Sequence, residues 1–111
     1  MNKQDAVQII AELINGWAVL LNELNSRNID SIRNIEQIRN KRNGLFGTTD
    51  NKLKNISVII SDYFINEAAV CAFTTSNITE EEDLRRQINF YIRILNDILD
   101  RYEMNYFNDK L

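Results

Sequence analysis

The residues best suited to chemistry lie close together. Residues 26–55 carry seven basic side chains against three acidic ones, in a chain of net charge −3. Arg33, Arg39, Lys41, Arg42, Lys52 and Lys54 belong to this basic island, with Asn43 and the glycines Gly44 and Gly47 set among them. Clustered guanidinium and ammonium groups recruit phosphates and carboxylates. Together with Asn43, these six cations are a candidate surface for an anionic ligand, either a nucleotide messenger or RNA, or for an acidic partner. A solvated helix face followed by loop lysines has the same composition, and both readings stand at this point. The flanks are acidic: residues 1–25 carry one basic and three acidic groups, and residues 56–111 carry five and ten. That balance argues against general nucleic-acid binding.

Groups that make or break bonds are scarce. Histidine is absent, which removes the commonest general base and the commonest metal ligand. One cysteine cannot form an internal disulfide or a zinc site of cysteine and histidine, and Cys71 within "EAAVCAF" reads as a small buried hydrophobe. Glu-x-x-His pairs of the di-iron bundles cannot occur. Asp97, Asp100 and Glu103 recur every third residue and could hold a hard cation, but they point away from the apolar stripe and read as a solvated face. Three glycines do not make a Gly-rich phosphate loop. The expectation is therefore a non-enzymatic protein with no catalytic residue, no metal and no cofactor.

The elements that position these residues are helical. Proline is absent, so nothing breaks a long helix. From Asp5 to about Asn25, Val7, Ile10, Ile14, Trp17, Leu21 and Leu24 step by three and four, and so do Ala6, Ile9, Leu13, Gly16 and Leu20. Together they span nearly half the circumference, wider than the ~100° stripe of a surface helix, so this helix must be covered from two directions. Gly16 in the second line points to a neighbouring helix that approaches closely. A second helix over about Asp30–Asn43 carries Ile29, Ile32, Ile35 and Ile38 every third residue, with Lys41 and Arg42 suited to its C-terminus. "NGLFGTTDN" then reads as a turn with Asp50 as the next N-cap.

The third helix is expected over about Asn51–Phe73, with Leu53, Ile56, Ile60, Tyr63, Phe64 and Ala68 inward. "ISVII" and "AVCAF" are β-branched enough to resemble strands, but helical spacing runs on between them. "TTSN" closes this helix. Thr79 and Glu82 form a capping box for the last one, whose first turn is acidic. Leu84, Ile88, Tyr91, Leu95, Ile98 and Tyr102 are its core stripe. Glu81–Arg85, Glu82–Arg86 and Asp97–Arg101 are acid-first i,i+4 pairs. Phe90 and Ile94 sit beside that stripe. With Trp17 and Leu20 on the broad first face, they are candidates for an apolar interface with a second subunit, although a core tryptophan is the plain reading of "NGWAV".

Four helices joined mostly by short turns give an all-α, four-helix antiparallel bundle forming one domain over residues 1–111. "RNGLFG", preceded by a helix ending in "IRN" and followed by an apolar helix, resembles a motif of the HEPN superfamily of helical bundles. There an arginine and an asparagine are followed by a histidine, often as Arg-Asn-x-Leu-Phe-His-Gly, and arginine and histidine of two subunits meet to cleave RNA. Here Phe46 runs directly into Gly47 and the histidine is missing. The resemblance thus implies a degenerate domain in which Arg42 and Asn43 remain, and which binds RNA, a nucleotide or a partner protein without cleaving.

No charged-then-apolar leader is legible, and no run approaches the ~20 apolar residues of a membrane span. The expected setting is the cytoplasm, without membrane contact, and sixteen asparagines point to an AT-rich bacterial or phage genome. The expected function is that of a small, homo-oligomeric interaction protein. It would bind and inhibit, neutralise or assemble another macromolecule, most simply a protein. The alternative is an anionic-ligand module that uses the basic segment 33–54.

Overall fold

Ala6, Ile10, Leu13, Trp17, Leu20 and Leu24 step by four and three, and all six are buried along one side of α1 (Lys3–Ser26). In the computed structural model, which describes residues 1–26, 31–72 and 78–107, α1 is followed by α2 (Ser31–Ile56), α3 (Val58–Ala72) and α4 (Glu80–Glu103). No strand occurs among the described residues. The described residues of "ISVII" and "AVCAF" are helical except Ser57, which separates α2 from α3.

Each helix runs opposite to the one before it. Lys41 of α2 reaches Glu23 of α1, and Thr49 reaches Trp17. Ser61 of α3 meets Asp50 of α2. On α4, Arg86 reaches back to Cys71 and Asp97 to Tyr63. Lys3 at the start of α1 donates to the Glu103 carbonyl at the end of α4, 2.8 Å away. α1 and α4 are therefore antiparallel neighbours too, and the four-helix antiparallel bundle closes. Its long extent is 47 Å, against the ~36–39 Å of a 24- to 26-residue helix.

The centre is aromatic, with one ring from each helix. Trp17 meets Tyr91 edge-on at 5.0 Å, and Phe46 lies 5.4 Å from both Phe64 and Tyr91. Such pairs add about 0.5–1.5 kcal/mol each beyond the area they bury. Trp17 Nε1 donates to Thr49 Oγ1 at 3.0 Å, and Thr49 donates in turn to the Leu45 carbonyl at 2.7 Å. The buried indole and hydroxyl are thereby satisfied.

The second helix corrects the sequence reading. α2 does not end at Asn43. It runs unbroken through "NGLFGTTDN" to Ile56, so Asp50 is a mid-helix residue and not a cap, and Lys41 and Arg42 are not at a helix end. Two features explain this. Ile35, Ile38, Leu53 and the buried Thr49 continue one core-facing line, with Leu45 and Phe46 packed against it. Gly44 and Gly47 keep negative φ, so neither supplies the left-handed geometry of a turn. The chain reverses instead at Ser57, between Ile56 and Val58. Ser57 donates its N–H to the Leu53 carbonyl, and its Oγ accepts the Ile59 N–H at 3.1 Å. Helix three thus begins at Val58 and not Asn51. The expected start at Asp30, Ile29 and the "TTSN" turn lie outside the described residues.

The close approach expected at Gly16 is an ordinary one. A Cβ there would meet only the Leu45 side chain, 3.7 Å away. α1 also has the length and mean hydropathy of a membrane-crossing helix, although polar residues interrupt its apolar run. In this fold its six core residues face α2 and α4. The fourth helix follows the sequence closely. Thr79 Oγ1 accepts the Glu82 N–H at 3.1 Å, and Leu84, Ile88, Tyr91, Leu95 and Ile98 are buried. Glu81–Arg85 and Asp97–Arg101 form ion pairs, whereas Arg86 pairs with Asp83, one residue nearer than Glu82.

Candidate functional site

Three of the six cations that stand out in the sequence, Arg39, Lys41 and Lys54, lie against the chain's own carboxylates. Arg39 Nε donates to Glu80 Oε1 at the start of α4, and Lys41 Nζ to Glu23 Oε1 on α1. The Glu80 bond raises the Arg39 guanidinium, and the Arg39 bond holds the Glu80 carboxyl below its ordinary range. Both pairs are exposed, so they tidy the charge more than they stabilise the fold. Lys54 lies 3.9 Å from Asp50 one turn earlier. Lys52 is exposed and forms no ion pair among the described residues. The Arg33 side chain lies outside the described residues.

Arg42 differs from its neighbours. It is half-buried, its Nε donates to Asn43 Oδ1 at 2.9 Å and its Nη1 to Gln87 Oε1. Gln87 then donates to Asp83 at 2.9 Å, Asp83 accepts from Arg86 at 2.8 Å, and Arg86 reaches the Cys71 carbonyl at 2.8 Å and Sγ at 3.2 Å. One polar thread therefore ties α2, α4 and the end of α3 above the aromatic centre. Burial raises the Cys71 thiol, against the opposing pull of Arg86. A raised thiol is a poor nucleophile at neutral pH. The thread joins Arg42 and Asn43 and includes none of Arg39, Lys41, Lys52 or Lys54.

The expected apolar interface is corrected as well. Trp17, Leu20 and Ile94 are 0%, 4% and 6% exposed, covered by the chain's own helices. α1 faces both α2 and α4, so its broad apolar face is spent inside one bundle. Phe90 alone remains half-buried at the surface.

Phe90 lines one of two grooves along the seam between α3 and α4. The first, about 300 Å³, is bounded by Tyr63, Glu67, Phe90, Arg93, Ile94 and Asp97. The second, about 370 Å³, is bounded by Ile59, Asp62, Tyr63, Asn66, Arg101, Tyr106 and Phe107. Tyr63 divides them and donates its hydroxyl to Asp97. Arg101 pairs with Asp97 at 3.0 Å and stacks on the rings of Tyr63 and Tyr106, at 5.2 and 4.7 Å.

Reading the sequence by apolar stripes passed over Tyr106 and Phe107. The signal was Asn105, which takes φ 60° just past α4. With Tyr106 N–H bonded to the Arg101 carbonyl and Asn105 N–H to Tyr102, it forms the left-handed Schellman cap that asparagine tolerates. This cap turns Phe107 inward to 3% exposure.

Burial, then the Asp97 hydrogen bond, push the Tyr63 phenol up to about 12. The folded state therefore holds this proton more tightly than the unfolded chain, whose tyrosines titrate near ~10. The stabilisation is complete below that value and is lost as pH rises through the folded one. In a titration read at the phenolate absorbance band, Tyr63→Phe is expected to remove a step near ~12 and to weaken the alkaline fall in stability.

No protein-family model, curated protein or solved structure matches the chain significantly. The fold defines a small all-α bundle, and the HEPN resemblance rests on the "RNGLFG" residues alone.

Proposed function

We propose that this chain is a non-enzymatic interaction protein. It binds and inhibits, neutralises or assembles another macromolecule, in the manner of a phage anti-defence factor, a toxin-immunity protein or a regulatory subunit. It acts as a homo-oligomer in the cytoplasm. The observation that carries this reading is the composition of α3. α3 is the most apolar of the four helices, with Asp62 and Glu67 its only charged residues, and part of that apolar surface is not covered by the bundle. Ile60, Phe64, Ala68 and Cys71 are buried, while Val58 and Val70 remain 59% and 56% exposed. The anionic-ligand alternative loses support because Arg39 and Lys41 already have carboxylate partners. A degenerate HEPN domain would fit either role.

Affinity capture from the native host, with the wild type and with Arg39, Lys41 and Arg42 neutralised together, tests the reading. It predicts that a macromolecular partner is retained by both proteins. Loss of the captured species from the neutralised protein, with saturable and salt-sensitive binding of RNA or a cyclic nucleotide to the wild type, would favour the alternative.

A further inference from the structure

The charges along the α3–α4 seam are unequally divided. α3 contains Asp62 and Glu67 and no lysine or arginine, whereas α4 presents Arg93 and Arg101 to the same two grooves with Asp97 between them. Asp97 is already bonded to Arg101 and Tyr63. Glu67 and Arg93 border one groove, yet no ion pair joins them, and neither has another ion-pair partner among the described residues. Around these charges the surface is apolar. Val70 is 56% exposed at one end of α3, half-buried Phe90 lines the groove on α4, and Ile59 and the 43% exposed Tyr106 line the far end of the seam.

We propose that this seam is where two copies of the chain associate, about a two-fold axis running along the seam, so that α3 of each copy lies over α4 of the other. Self-complementarity selects this arrangement. A two-fold axis across the seam would stack α3 on α3 and set Asp62 and Glu67 against carboxylates. An axis along it sets each Glu67 against the opposite Arg93, twice by symmetry. It also packs the exposed Val70 toward the opposite Phe90, while Arg101 stays paired with Asp97 of its own copy. The strip is small: about 18 Å of helix by two helix widths, roughly 360 Å² per copy. The ~720 Å² buried in all falls below the roughly 1,200 Å² of a stable specific interface, so the dimer is a weak, transient one that depends on its charge pairs.

The inference rests on the proposed homo-oligomer, and the test separates the two. Sedimentation of the full chain from low micromolar to near-millimolar concentration should show the mass rising from 13.0 kDa toward twice that value. Glu67→Arg and Arg93→Glu should each weaken association about tenfold or more, because each sets two like-charge pairs across the axis. An equimolar mixture of the two variants should recover dimerisation, since each new arginine then faces a new glutamate. Circular dichroism confirms that both variants keep their helices. A dimer indifferent to both substitutions, or no recovery on mixing, overturns the seam while leaving the homo-oligomer in place. A monomer at every concentration overturns both.

Discussion

Trp17→Ala is expected to lower the stability of the fold by about 3–5 kcal/mol, the cost of deleting a large aromatic side chain from a core that cannot collapse to fill the space. The indole is fully buried, touches the Tyr91 ring, and gives its N–H to Thr49. Thr49 loses a donor but keeps its own bond to the Leu45 carbonyl, so packing dominates the loss. A domain of this size holds only about 5–15 kcal/mol in total. The melting temperature should fall by roughly 4 °C per kcal/mol. The measurement is a denaturant or thermal melt of the variant beside the wild type. An interface role for Trp17 would give the opposite pattern, with an unchanged melt of the monomer and weaker association.

The double substitution Gly44→Ala/Gly47→Ala is expected to stabilise the protein by about 1–2 kcal/mol. Glycine in a helix interior costs roughly 0.5–1 kcal/mol relative to alanine, because its unfolded backbone has more freedom to lose. A Cβ at either position meets nothing within 4 Å, and neither glycine has positive φ. The gain is therefore not offset by a clash or by backbone strain. A turn at "NGLFG" that needed a left-handed glycine would make the same change destabilising. Urea melts of the two proteins give the sign directly.

The two predictions fall where the sequence was read correctly in part. The first and last helices were legible because their apolar residues recur at steps of four and three, and because Thr79 marks a start that the hydrogen bond to Glu82 bears out. The middle of the bundle was less legible for two physical reasons. Asn43–Gly44 carries a strong local turn signal, while the tertiary contacts that override it, Leu45 and Phe46 packed on the core and Thr49 bonded to Trp17, involve other helices. The real corner at Ser57 contains neither glycine nor proline, so it leaves no punctuation to find.

The candidate site divides in the same way. Arg42 and Asn43, which the sequence marks as candidates for binding an anion or a partner, are hydrogen-bonded to each other in the fold, a contact their spacing does not announce. The partner that answers Arg39 is Glu80, 41 residues away, a pairing that local spacing does not reveal. Phe90 was legible as a side chain off the stripe. Its surroundings come from α3, whose seam face of Ile59, Tyr63, Asn66 and Val70 mixes apolar and polar residues and so escapes a search for apolar lines. The breadth of the α1 face was read correctly but assigned to the wrong cover, since two helices of the same chain answer it.

A rigid helix through the basic segment and a loop free to close on an anion separate the interaction-protein reading from the anionic-ligand alternative. Amide hydrogen exchange from Asn43 to Thr49 decides this most directly. A helix continuous from Ser31 to Ile56 predicts protection of the Gly44–Thr49 amides comparable to that around Ile38 and Leu53, fading only toward Ser57. Exchange of those amides at the rate of an unstructured turn, with protection resuming near Asn51, would contradict it.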